Sequence, residues 1–393
     1  MVSFKLMLLV LTGQLVYGSS KNQVDHYKAL SIAATRFSQK LYQHVALNTP
    51  NIVYSPISIH AILTMTSLGA KGKTKHEILR TLGIKSSENV SSLYSEFYEG
   101  IKSLRSADII LANAMFSKPV GKIKSSFSEE VKTKFCAITE SFDVLASEGP
   151  EEEINNYIAE AKKNKIEDAS PQAGTSLDLV NIIIFRGTWA HQFGKAKKRP
   201  FFKQGNNKSK KPFKTEMLSG KMRILYESDE PNQFDVAQLA YKGGRFGLYI
   251  ALPQKVDGIA SLEKHLSDPH NINRLFANLT AIDAEVKIPK FKTETTLDLI
   301  KPLKELGIVK AFGPGAEFPR ITSDKAHISR VKHQVRFDVS ETGTIAEVDL
   351  ESIKEPKKDS TKPKVRFVAD HPFLYFLRDK ETGLILLQGT FSG

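Results

Sequence analysis

Cys136 is the only cysteine in this 393-residue chain, and that limits the fold more than any motif does. No intrachain disulfide can form, so the fold must rest on a hydrophobic core rather than on covalent staples. Length alone would allow two or three domains. No Pro/Gly/Ser-rich linker and no internal repeat divides the sequence, however, which points to one large mixed domain of helices and sheets over residues 19–393.

The amino terminus reads as a signal peptide, residues 1–18. Lys5 supplies charge, Leu6 to Val16 form an apolar stretch broken only by Thr12, Gly13 and Gln14, and Gly18 is the small residue before a polar sequel. A first core helix is the alternative, but an apolar core of about eleven residues at the extreme terminus suits export better than packing. No later segment approaches the ~18 to 20 consecutive apolar residues that a membrane span needs. The expected product is a secreted, extracellular monomer beginning near Ser19, with no membrane partner. Export would give meaning to three glycosylation sequons, at Asn89, Asn207 and Asn278.

The formal net charge is +13, and the excess is uneven. Residues 186–215 contain no acid, whereas Lys195, Lys197, Lys198, Arg199, Lys203, Lys208, Lys210, Lys211 and Lys214 crowd together. Such a field attracts polyanions. For an exported chain a heparin-like sulfated glycosaminoglycan suits it better than nucleic acid. A solvated basic face without a ligand is the alternative.

Local signals place several elements. Ser55-Pro56 starts a helix, since Ser accepts from free amides and Pro at the first helical position has no N–H to leave unbonded. The apolar spacing of Ile59, Ile62, Leu63, Met65 and Leu68 continues it, with Gly69 expected as a left-handed cap. Thr74 to Glu77 reads as a capping box opening a second helix that runs to Gly83. Residues 179–185 form a β-branched apolar run, a strand buried on both faces, while 335–339 alternate as a strand with one wet face. Residues 374–377 and 384–387 flank the turn 379–383 as a terminal hairpin.

Motifs for catalysis and cofactors find no footing. Residues 69–74 resemble a phosphate-binding loop only loosely, because the first glycine is too close to Gly72-Lys73-Thr74 and a helix precedes it. There is no Gly-x-Ser-x-Gly elbow and no His-Glu-x-x-His helix. Neither His265 with His270 nor His327 with His333 has partners at ligand spacing, and one cysteine cannot build a thiolate site. We therefore expect neither an enzyme nor a metal or cofactor.

Several segments together resemble the serpin family over essentially the whole mature chain. They are Asn51 to Ile59, Leu68 to Thr74, Leu179-Val180-Asn181 through Trp189, and Asp370 to Leu374 with Arg378 to Gly383. The resemblance implies an α+β fold of about nine helices and three β-sheets, with an exposed reactive-centre loop at about 341–366. By the same analogy, Ser55, Ser58, Asn181 and His333 form a polar cluster beneath the main sheet, and Trp189 marks the top of that sheet, where the loop would insert. Read alone, Ser55 is a helix cap and His333 an ordinary core histidine.

The family's hinge is matched by Glu341, Thr342, Gly343 and Thr344, followed by Ile345 and Ala346. Glu347, Val348 and Asp349 replace the small residues usual in inhibitory members. Side chains alternate across a strand. Thr344, Ala346, Val348, Leu350 and Ser352 would therefore face the core, while Glu347 and Asp349 would face water. Counting in the family manner from Glu341 places the attacked bond at Lys357-Lys358, and counting back from Phe367 lands near Asp359. Lysine at the cleavage point suits the acidic pocket of a trypsin-like protease. The implied function is suicide-substrate inhibition of an extracellular trypsin-like serine protease. The alternative is a non-inhibitory binding protein on the same fold, whose charged hinge prevents efficient insertion.

Overall fold

The computed structural model describes residues 27–46, 49–102, 107–118, 123–141, 175–203, 212–344 and 365–393. Residues 1–18, expected to be a signal peptide, lie outside them, as do Asn207, the lysines at 208, 210 and 211, and Ile345, Ala346, Lys357 and Lys358 of the expected reactive-centre loop.

The helix 27–45, here α1, comes first. It is followed by β1 (Ile52–Tyr54), α2 (Pro56–Gly69), α3 (Gly72–Leu82), α4 (Ser87–Lys102), β2 (Ala107–Lys118), α5 (Ser125–Phe135), β3 (Ile138–Ser141) and β4 (Thr175–Thr188). A run of strands follows as β5 (Gly194–Phe201), β6 (Phe213–Asp229), β7 (Phe234–Ala240) and β8 (Phe246–Pro253). Next come α6 (Ile259–Leu266), α7 (Pro269–Leu275), β9 (Thr280–Pro289), β10 (Phe291–Asp298) and α8 (Ile300–Glu305). The last strands are β11 (Ala326–Val339), β12 (Gly343–Thr344), β13 (Val365–Val368), β14 (Phe373–Asp379) and β15 (Ile385–Phe391). Among the described residues no helix is long and apolar enough to cross a membrane.

The fold is α+β. Where about nine helices and three sheets were expected, the described residues carry eight α-helices and two hydrogen-bonded sheets. One sheet has nine strands in the order β1-β15-β14-β8-β7-β6-β9-β13, with β5 also on β6; the other has six, in the order β10-β11-β4-β2-β3, with β12 on β4. The count falls because β6, seventeen residues long, pairs with β5 and β9 in its first part and with β7 and β9 in its last. One long strand thereby joins two groups of strands into a single sheet.

Aromatic packing ties the two sheets together. Phe291 of β10 and Phe337 of β11 meet Tyr375 of β14 and Phe391 of β15; the Phe337 and Tyr375 rings stack at 5.4 Å. The expected hairpin is β14 and β15, paired antiparallel. Its turn is fixed by the fully buried Asp379, whose carboxylate accepts from Arg245, from the Glu381 N–H and from the Thr382 hydroxyl.

Two local expectations need correction. Ser55 does cap α2, accepting from the Ser58 N–H at 3.2 Å. Gly69, however, is not a left-handed cap: the helix ends at Ala70 in an extended conformation. Glycine is required at 69 by packing, since a Cβ there would overlap the Ile321 side chain and come within 3.1 Å of Phe127. The capping box at Thr74 to Glu77 also fails. α3 begins at Gly72 with Lys71 as an N-cap that makes no side-chain bond. Thr74 Oγ1 instead accepts from Glu317 N–H, and the Glu77 carboxylate accepts from Val309 N–H and Lys310 N–H. Long-range partners outbid the local cap for both side chains.

Candidate functional site

β4 and β11 run side by side and parallel, from Ala326↔Thr175 to Arg336↔Ile184. β2 flanks β4 on its other side, so Asn113 of β2, Asn181 of β4 and His333 of β11 fall in one row across the sheet. All three are buried, above α2, which is buried along its whole length. Ser55 N–H donates to His333 Nε2 at 2.9 Å, so that nitrogen carries a lone pair. The proton is therefore on Nδ1, which donates to Asn181 Oδ1 at 2.6 Å. Asn181 Nδ2 donates in turn to the Ser58 carbonyl and to Asn113 Oδ1. Burial pushes His333 down to about 3, and the imidazole is neutral. The Ser58 hydroxyl has no partner among the described residues.

This row brings together all four residues expected in the polar cluster. Asn113 was missed from sequence, although an asparagine inside the apolar run 109–116 is itself a signal that its side chain has a buried partner. The row crosses the seam between β4 and β11. A strand entering that seam must part the His333–Asn181 bond.

At the end of the seam the chain doubles back. β11 ends at Val339, and β12 pairs antiparallel with β4 through Gly343↔Thr188 and Thr344↔Gly187. A short return strand thus already occupies the mouth of the slot. Gly343 permits the approach, because a Cβ there would overlap the Gly187 carbonyl oxygen. Thr344 is fully buried, with its hydroxyl 2.7 Å from that of Tyr241.

The turn before β12 is clasped by the segment after β4. Trp189 Nε1–H donates to the Ser340 carbonyl at 2.8 Å, Trp189 N–H to the Thr342 carbonyl at 2.9 Å, and Phe193 N–H to the Glu341 carbonyl at 2.9 Å. The indole stacks on Tyr241 at 4.4 Å. The Glu341 carboxylate is 3.1 Å from Lys290 Nζ and accepts from Ala196 N–H on β5. Burial works to raise the Glu341 carboxyl, but backbone N–H donors and the Lys290 ammonium outweigh it and hold the group below the usual carboxylate range. Tyr241 and Lys290 carried no sequence signal, because neither lies in a motif and each acts through distant chain.

β5 also carries four residues of the basic cluster. Among the described residues it pairs only with β6, and Lys195, Lys197, Lys198 and Arg199 are all exposed along it. None forms an ion pair among the described residues; the nearest acid in the ladder is Glu216, opposite Lys198. Asn89 and Asn278 are exposed. Among the described residues no group of three or more His, Cys, Asp or Glu side chains is placed to hold a metal ion.

Comparison with known proteins agrees with this architecture. The family model described as Serpin (serine protease inhibitor) matches residues 32–393. The leukocyte elastase inhibitor of Xenopus tropicalis is 32% identical over 380 residues, spanning 92% of this chain and 99% of that protein. Among solved structures, human thyroxine-binding globulin complexed with thyroxine superposes with a TM-score of 0.76 at 26% identity, covering 93% of this chain and 98% of that one. Native protease nexin-1 with heparin gives 0.75 at 25%, covering 94% and 99%.

Proposed function

The chain belongs to the serpin family, and from that premise we propose that it is a secreted suicide-substrate inhibitor of a trypsin-like serine protease. The observation that most supports this reading is the short strand β12, already paired to β4 at the mouth of the β4–β11 seam with Thr344 fully buried. The single serpin domain is residues 19–393, after removal of 1–18, and the reactive-centre loop is about 341–366.

In this reading the protease serine attacks the Lys357 carbonyl. The Lys357–Lys358 peptide bond breaks, the Lys358 amine leaves, and an ester joins Lys357 to the enzyme. The freed segment from Gly343 onward then adds as a strand between β4 and β11, exchanging water for ladder hydrogen bonds and burying its apolar face. Ser55, Ser58, Asn181 and His333 act as the gate that this strand must part, and Trp189 marks the entry. The protease, dragged along by its ester, is distorted before water can release it, and the fold's own strain supplies the drive. No catalytic residue of the inhibitor is needed. β5 docks a heparin-like glycosaminoglycan, and Asn89, Asn207 and Asn278 carry glycans.

Incubation with trypsin tests the reading. An inhibitor gives a covalent complex that survives boiling in detergent, and Lys357→Ala abolishes it while leaving the fold intact. If trypsin-like, chymotrypsin-like and elastase-like enzymes all yield only cleaved loop, the inhibitory reading fails and the non-inhibitory binding protein takes its place.

A further inference from the structure

The outer face of β11 carries cations at two levels. Val331, His333, Val335 and Phe337 are buried on its core face, while Lys332, Gln334 and Arg336 alternate with them on the other. On the β10 side, Arg336 stands opposite Glu294 and Lys332 opposite Asp298. The Arg336 guanidinium also donates to the Asp338 carboxylate at 3.0 Å. On the β4 side the matching positions are aliphatic, Ile184 opposite Arg336 and Val180 opposite Lys332. Both cations thus face acids in the ladder on one side and only hydrocarbon on the side of the seam.

The register of β12 fixes what a strand in the seam would bring to those two levels. Gly343↔Thr188 and Thr344↔Gly187 begin the pairing. Continued down the fourteen residues of β4, it sets Glu347 beside Ile184, Glu351 beside Val180 and Pro356 beside Thr175, the first residue of β4. The buried Thr344 marks the inner face, so Glu347 and Glu351 fall on the outer one, because side chains alternate along a strand. We propose that Arg336 and Lys332 are a charge template for the segment 347–351 of this chain, Arg336 taking Glu347 and Lys332 taking Glu351, so that these acids favour insertion instead of obstructing it. The inference rests on the inhibitory reading and adds to it the side chains that select an acidic strand. Opposite charges directly across a ladder are stabilising, and each cation would then lie between acids on both of its neighbouring strands. Glu347, which departs from the small residues expected in a hinge, thereby acquires a partner on the sheet.

The experiment treats intact protein with trypsin and reads the ratio of detergent-stable complex to cleaved product, with the rise in melting temperature after loop cleavage as a second measure. Glu347→Gln should lower the ratio about threefold, whereas charges that only obstruct insertion would make the same change raise it. Arg336→Gln should lower it by a similar factor, and the double variant should be no worse than either single one, since both remove one interaction. Lys332→Gln with Glu351→Gln should repeat the pattern. Should a β11 variant fail to fold, salt decides on the wild type. Raising sodium chloride from about 0.01 M to about 1 M shortens the screening length from about 30 Å to about 3 Å, and the ratio should fall several-fold. A rise for Glu347→Gln, additive losses in both pairs, or a ratio indifferent to salt overturns the template and leaves inhibition standing. A wild type that gives neither complex nor a higher melting temperature after cleavage overturns both.

Discussion

Two buried histidines set how this fold responds to acid. His333 is held to about 3 and His60 to about 4, in each case first by burial, which disfavours the charged ring. His60 sits between the Tyr94 hydroxyl and the Leu82 carbonyl, the latter partly offsetting its depression. Both folded values lie below the unfolded value near 6.5. The unfolded chain therefore binds protons that the folded chain refuses, and stability falls as pH drops through the window from about 6.5 toward each folded value. Each histidine should contribute a slope of about 1.4 kcal/mol per pH unit there. Urea unfolding at several pH values between 6.5 and 4.5 should show that His333→Asn flattens the curve by one such share; an unaltered slope would mean that the imidazole is not protected as its two hydrogen bonds indicate. A second single-residue outcome concerns Thr344. Its position against Tyr241 leaves no room or partner for a charge, so Thr344→Arg should convert an inhibitor into a plain substrate, because burying an unpaired guanidinium costs several kcal/mol. Persistence of the detergent-stable complex in that variant would remove Thr344 from the insertion path.

At the scale of elements, the contrast between α2 and α3 shows what sequence can and cannot specify. Ser55-Pro56 forecasts the start of α2 because the capping bond is local, spanning three residues. Gly69, by contrast, owes its identity to Ile321, some 250 positions away, and no local pattern carries that information. Gly69→Ala should destabilise the protein by about 1–3 kcal/mol through overpacking, measurable by urea unfolding, whereas relief of a helix-interior glycine alone would predict a gain. The start of α3 departs from its local pattern for a related reason: Thr74 and Glu77 match a capping box, yet both serve the distant segment 309–317. β4 and the β14–β15 hairpin were legible because each declares itself by an apolar run or by a turn of Asp and Gly. The polar row was legible only through resemblance to a known family, since the register that aligns Asn113, Asn181 and His333 exists only once three strands are paired.

For the whole molecule, the parallel seam predicts the thermodynamic outcome of loop cleavage. β12 is antiparallel to β4, and β4 is parallel to β11. A strand continuing from β12 would therefore replace one parallel interface with two antiparallel ones, the slightly more stable pairing per residue. Cleavage at Lys357 should thus raise the melting temperature, as followed by calorimetry before and after limited trypsin treatment; an unchanged or lowered value would show that the loop stays outside. The mouth of that seam also constrains sequence variation. At Gly187 a Cβ would press on Tyr241 and Phe185, and at Gly343 it would overlap Gly187 itself. These two positions are thus steric neighbours, and a methyl group at one cannot be accommodated by trimming the other, which has nothing left to trim. In a library randomised at both codons and selected for the ability to trap a protease, glycine should return at the two sites together, with no compensating pair, although they stand 156 positions apart in the chain.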